Sequence, residues 1–199
     1  LGGGGGGRAR GRERMKGESQ NGWERTWSDL HGEDVLEDGQ FACFVDFVND
    51  ITWVKLSSSK KQSLNVVLSL YRKEHATFKT KKNTLGMMGQ LPSGSDKGMQ
   101  FATFAQPVLK DGTMKQEGND LVIENATECW IRISSVTNYD DKTGYLSSID
   151  VVEKAFQYLD KTKPLNFGTA QQKSTAAYQK WFNRCRWNMP DSKPGTAVT

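Results

Sequence analysis

The chain has 199 residues, 36% of them hydrophobic, a formal net charge of +4 and a mean hydropathy of −0.66. That length suffices for one ordinary domain with a real core, and no apolar run approaches the ~18 residues that a membrane-spanning helix needs. Three cysteines without a CxxC pair or histidine spacing, Cys43, Cys129 and Cys185, exclude a conventional zinc site and leave two of the thiols, Cys43 and Cys129, expected as buried and reduced.

Residues 1 to 22 combine six consecutive glycines with Arg, Glu, Gln and Asn. That composition cannot repay the entropy of ordering, so a flexible tail is expected. The chain opens on Leu1 and carries no signal-peptide pattern, which leaves the compartment open, secreted and periplasmic settings included. The Arg-Gly run lacks interleaved aromatic residues before Trp23, so nucleic-acid binding is the weaker reading of this segment. Residues 23 to 40 stay unassigned.

From Phe41 the pattern becomes all-β. FACFVDF, ITWVKL, SLNVVLSLY, GMQFATFAQPVL and DLVIENA are short apolar runs separated by turn compositions, the spacing of an antiparallel sandwich over 41–141. Leu64, Val66, Leu68 and Leu70 share one strand face and are expected to pack against Cys129, Ile131 and Ile133. Asp111-Gly112 predicts a type I′ hairpin joining the strand that ends at Leu109 to a partner near Met114. In ENATECWIRISSVTNYDD, alternation places Cys129, Ile131 and Ile133 on one face and Trp130, Arg132 and Ser134 on the other. Asn138, Asp140 and Asp141 are expected to bond their own backbone and end that strand. Asn125-Ala-Thr is an N-glycosylation acceptor triplet, of consequence only in a eukaryotic secretory pathway.

Beyond the corner the period changes to 3.6. Ser147 and Asp150 sit at capping-box spacing before the stripe Val151, Val152, Ala155, Phe156 and Leu159, which predicts a helix. After the interruptions Pro164 and Gly168 a second helix carries Tyr178, Trp181, Phe182 and Cys185 at i, i+3, i+4 and i+7. The two make a helical connector over 142–190, followed by an extended tail over 191–199. Tyr178, Trp181 and Phe182 are too large to be left bare and are expected to meet a partner.

Chemistry is sparse. His31 and His75 are the only histidines and neither has an obvious catalytic partner. There is no G-x-S-x-G, no phosphate-binding glycine pattern and no carboxylate pair with a catalytic signature. No catalytic residue, metal site or cofactor is expected. The aromatic residues Trp53, Trp130 and Tyr139, with Asn138, are candidates for stacking on and bonding to a sugar ring if they are exposed together, the arrangement of a free-standing carbohydrate-binding module.

With these elements in order, segment 41–188 resembles the amino-terminal β-sandwich domain of family 95 glycoside hydrolases, the α-L-fucosidase and α-L-galactosidase family. The runs FACFVDFVNDITWVKLSSSK, SLNVVLSLYR, GMQFATFAQPVL, GNDLVIENATECWIRISSVTNYDD and AAYQKWFNRCRWNM carry the likeness, most strongly at SSVTNYDD and YQKWFNR. The resemblance implies a noncatalytic sandwich bracing a helical-barrel catalytic domain that lies beyond Thr199. It also implies a fucosylated or galactosylated glycan as the substrate of that barrel. None of the family's catalytic positions falls within this chain.

Overall fold

The structure is a computed structural model and describes residues 39–94 and 96–184. The expected tail over 1–22, most of the unassigned stretch, Cys185 and the expected C-terminal extension lie outside the described residues.

Strands dominate. In chain order they are β1 (Gly39–Asp46), β2 (Ile51–Ser58), β3 (Leu64–Leu68), β4 (Ala76–Lys81), β5 (Thr84–Ser93), β6 (Asp96–Leu109), β7 (Thr113–Glu117), β8 (Asp120–Ala126), β9 (Glu128–Thr137), β10 (Tyr139–Asp140) and β11 (Tyr145–Leu146). Two helices follow, α1 (Val151–Lys161) and α2 (Phe167–Phe182). Among the described residues a six-stranded antiparallel sheet runs β1-β2-β9-β6-β5-β4 and a three-stranded one runs β3-β8-β7. The mainly β, antiparallel class with helices at the C-terminal end is thus the observed one.

Both faces of the large sheet are covered. On one face Ile51, Trp53, Ala102 and Phe104 pack against Val151, Ala155 and Leu159 of α1 and Phe167 and Ala170 of α2. On the other, register aligns Leu56 with Cys129 and Ala105 with Leu85, and all four are buried together with Ile131. That second row needs a cover, which the small sheet supplies with its buried Leu64, Leu121, Ile123 and Ala126. Leu64 and Cys129 are both buried, while Val66, Leu68, Leu70 and Ile133 of the same two expected rows are only half-buried. Asn125, at φ +56, makes this row possible. It adds a residue to β8, so that Ala126 returns to the face already used by Leu121 and Ile123.

Several expectations change. Asp111-Gly112 does not make a hairpin: β6 belongs to the large sheet and β7 pairs with β8 in the small one. The Asp111 carboxylate is spent on a long-range clasp, accepting from Thr127 N and, at 2.7 Å, from Thr127 Oγ1. Gly112, at φ +81, lets the chain cross between the sheets there. Strand β5 has no clear β pattern because Gly86, Met87, Met88 and Gly89 interrupt it, and β4 has none because Ala76–Lys81 is mostly polar. The helix α1 starts three residues later than the Ser147 capping box implies, since Asp150 itself is the N-cap and accepts from Val152 N and Glu153 N. Gly168 lies inside α2, whose N-cap is Asn166, so it does not interrupt the helix.

The Asp111 clasp carries a pH signature. The hydroxyl of Thr127, and then its backbone N–H, hold the Asp111 carboxyl below the ordinary aspartate value. A depressed carboxylate contributes stability above its unfolded pKa, roughly 3.9, and that contribution disappears as pH falls through the lower folded value. The melting temperature of the wild type is therefore expected to exceed that of Asp111→Asn at about pH 6 and to lose much of this advantage near pH 2. A gap between the two that is the same at both pH values would contradict the clasp.

Candidate functional site

The residues expected to stack on sugar do not share a surface. Trp53 is 0% exposed. Its indole lies parallel to Phe44 at 6.2 Å and edge-on to Phe167 at 6.4 Å, so it is a core residue under α2 and is corrected as a sugar platform. Trp130 is half-buried and packs against the same helix-covered core. Asn138 is buried and structural: its Oδ1 accepts from Gln100 N at 2.8 Å and its Nδ2 donates to Ser147 O at 3.2 Å. It bonds neighbouring strands rather than its own backbone, whereas Asp140 does make the local turn, accepting from Lys142 N at 3.0 Å. Tyr139 is exposed at the start of β10, nine positions along from Trp130 and roughly 30 Å away in extended chain.

The other reactive groups are dispersed. Cys129 is buried, and burial pushes its thiol up to about 12. Cys43 is exposed on β1, contrary to expectation, because β1 is an edge strand whose Phe41, Cys43 and Val45 row runs past the cover. His75, at φ +56, has its Nε2 3.9 Å from the Glu74 carboxylate; His31 lies outside the described residues. Among the described residues no three His, Cys, Asp or Glu side chains are grouped to hold a metal ion. No described helix is long and apolar enough to cross a membrane. An open depression of about 330 Å³ beside Asp50, Thr52 and Tyr158 offers one carboxylate and no paired acid. Another of about 580 Å³ beside Gln90, Gln100 and Asp150 is no better, since Asp150 already caps α1.

What the fold does bring together is an apolar end. The buried stripe of α2 is Phe167, Ala170 and Ser174, of which the small Ala170 and Ser174 allow close docking. Its larger aromatic residues remain free, with Tyr178 54%, Trp181 58% and Phe182 63% exposed. Tyr178 and Phe182 stack on each other at 5.7 Å, and the Arg184 guanidinium lies 4.3 Å from the centre of the Trp181 ring. One turn before Tyr178, the Ser174 hydroxyl accepts from Phe47 N at 3.1 Å and donates to Val45 O at 3.4 Å. This ties the β1–β2 turn to the helix, and Val45 near the end of β1 and Phe47 and Val48 on that turn are also exposed. The turn residues were missed in the sequence. The signal was present in VDFVND, where apolar side chains occupy a turn that Asp46 closes by accepting from Val48 N and Asn49 N.

Comparison with known proteins places the sheet region. The family model for the glycosyl hydrolase family 65, N-terminal domain, matches residues 35–142. No curated protein matches the chain. A solved structure described as a kojibiose phosphorylase from the human microbiome is similar with a TM-score of 0.47 and 11% identity, covering 73% of this chain and 21% of that one. The chain thus spans about a fifth of that protein's length. The family reached is 65, in place of the 95 expected. The SSVTNYDD corner falls within the matched span, but YQKWFNR, on which the family 95 likeness leaned, falls beyond it.

Proposed function

The chain belongs to the glycosyl hydrolase family 65 N-terminal domain family, and on that premise we propose that it is a noncatalytic sandwich domain that braces a separate catalytic domain of a glycoside-processing enzyme. The observation that carries this reading is the exposed aromatic end of α2, the last described element, beside the apolar β1–β2 turn. A surface of that kind is costly to leave in water and suits a neighbouring domain. Tyr178, Trp181 and Phe182 are its anchors, and α2 carries Lys173 and Lys180 with no acid, which favours a partner with an acidic rim. The α-L-fucosyl specificity expected from the family 95 likeness has no support in the family 65 match, so the proposal is framed on the architectural role. A free-standing carbohydrate-binding module is the weaker alternative, since Trp53 is buried and Trp130 and Tyr139 are far apart.

The test has two arms on the purified chain. Aryl α-glycosides, the α-L-fucoside included, are expected to show no turnover above a matched blank, because no acid and water-activating pair converges among the described residues. In the second arm, Trp181→Ser is expected to reduce self-association in a solution-mass measurement and to lower the share of tryptophan emission open to a soluble quencher. Turnover in the first arm, or a monomer whose association and quenching ignore the substitution, would overturn the reading.

A further inference from the structure

The large sheet has a notch where β2 gives out before β9 does. The last β2–β9 partners are Thr52 and Ile133, whereas β9 continues to Thr137 and pairs with β6 along its other side as far as that residue. Every second residue of the overhang therefore turns its main-chain N–H and C=O toward a side that no described strand occupies. The space beside it is the open depression of about 330 Å³. Its walls bring together Asp50 from the β1–β2 turn, Thr52 from β2, Ser135 and Thr137 from β9 and Tyr158 from α1. Among the described residues the side chains of Asp50, Thr52, Thr137 and Tyr158 hydrogen-bond to no protein group, and Ser135 Oγ meets Thr103 Oγ1 at 3.1 Å.

Charge narrows what can enter. Asp50 is the one charged residue of the lining, and it repels an anion. On the opposite wall Lys154 Nζ lies 5.2 Å and Lys161 Nζ 5.4 Å from the centre of the Tyr158 ring, which offsets the pull of Asp50 on a cation. Both ammonium groups sit over that ring, so Tyr158 offers the depression its hydroxyl rather than a stacking face.

We infer that this notch binds one neutral sugar ring. The carboxylate only accepts, the hydroxyls of Thr52, Thr137 and Tyr158 accept or donate, and the open stretch of β9 supplies both kinds of main-chain group. A ligand whose polar groups are all hydroxyls, each donor and acceptor at once, can answer that mixture without a net charge. Val45 and Val136 give its C–H edges apolar wall. The volume is at the small end for ligand sites, which suits a single ring and not a chain of them. The inference is independent of the bracing role, which uses the aromatic side chains of α2.

The test titrates the full chain with glucose, with glucosamine as the cationic probe and glucuronate as the anionic one, and follows backbone amide shifts by NMR. Glucose is expected to move the amides of Thr52 and of Ser135 to Thr137 along a saturable curve, and both charged probes to bind more weakly. Asp50→Asn, which keeps a residue at ease at φ +52, and Tyr158→Phe should each weaken glucose roughly threefold to tenfold, while Tyr145→Phe on the distant β11 should not. Glucose shifts that are scattered or fail to saturate overturn the site, whether or not a variant folds. Tighter binding of glucosamine or glucuronate overturns it too, as does wild-type affinity in both Asp50→Asn and Tyr158→Phe.

Discussion

Replacing Trp53 with alanine is expected to remove about 3–5 kcal/mol of folding stability, the range for deleting a large buried aromatic side chain. The indole is wholly buried and fills the space between the large sheet and the start of α2, where it meets both Phe44 and Phe167. Those two rings also meet each other edge-on at 5.1 Å. No neighbour can fill the hole, because Ile51 and Ala170 are already packed in the same cluster and Phe44 belongs to an edge strand with little to push it inward. The loss should concentrate on α2. Amide exchange in the segment from Ala170 to Ser174 should accelerate more than in β6, and denaturant unfolding should show the midpoint shift. A loss below about 1 kcal/mol, well under the usual range for such a truncation, would show that the indole is dispensable to the core.

Adding one methyl group at Gly89 is expected to be nearly as damaging as removing that indole. A Cβ at Gly89 of β5 would lie 1.8 Å from His75 O and 2.8 Å from Phe101 Cζ. The first of these is main chain, so no rotamer change can clear it. The second is a ring that carries the Arg72 guanidinium 4.8 Å from its centre. The residues entering β4 must therefore move off β5, breaking the pairing of Ala76 with Gly89. Gly89→Ala should cost about 3 kcal/mol, the upper end of the usual overpacking penalty. Its amide protection should fall across β4 while β2 and β9 keep theirs. Wild-type protection in β4 together with wild-type stability would show that His75 can yield.

The parts of the fold that could be read from sequence were those in which one face of an element does one job. The alternation of β9 placed Cys129 and Ile131 on one buried face, and the 3.6 period of α1 did the same for Val151, Ala155 and Leu159, although Phe156 of that stripe is exposed and β9 buries Arg132 and Ser134 on its other face as well. The parts that escaped were set by long-range bonds or by backbone shape. Asp111-Gly112 has the composition of a hairpin turn, yet the carboxylate's partner, Thr127, lies 16 residues away, and no local pattern announces it. Likewise β5 is built around Gly86 and Gly89, which make room for neighbouring strands and weaken the signal that defines a strand. At the apolar end, the helix residues Tyr178, Trp181 and Phe182 were legible as a stripe without a cover. The turn residues Phe47 and Val48 were not, because their place beside α2 depends on Ser174. Trp53 was misjudged for the converse reason: an indole that suits a sugar ring suits a core equally well, and only the helices above it decide which.

The Ser174 clasp also sets a schedule. The serine lies 127 residues after the Phe47 amide that it receives. Chains are synthesised at roughly 5–20 residues per second, so the β1–β2 turn emerges on the order of ten seconds before the hydroxyl that fastens it exists. During that interval β1 can pair with β2, but Phe44 and Trp53 have no Phe167 to pack on, and Phe47 and Val48 project from an untethered tip. The earliest strands of this domain are therefore the last to be secured. A nascent-chain holdase that recognises short apolar stretches would find a long-lived target in CFVDFVND, which spans the end of β1 and the turn after it.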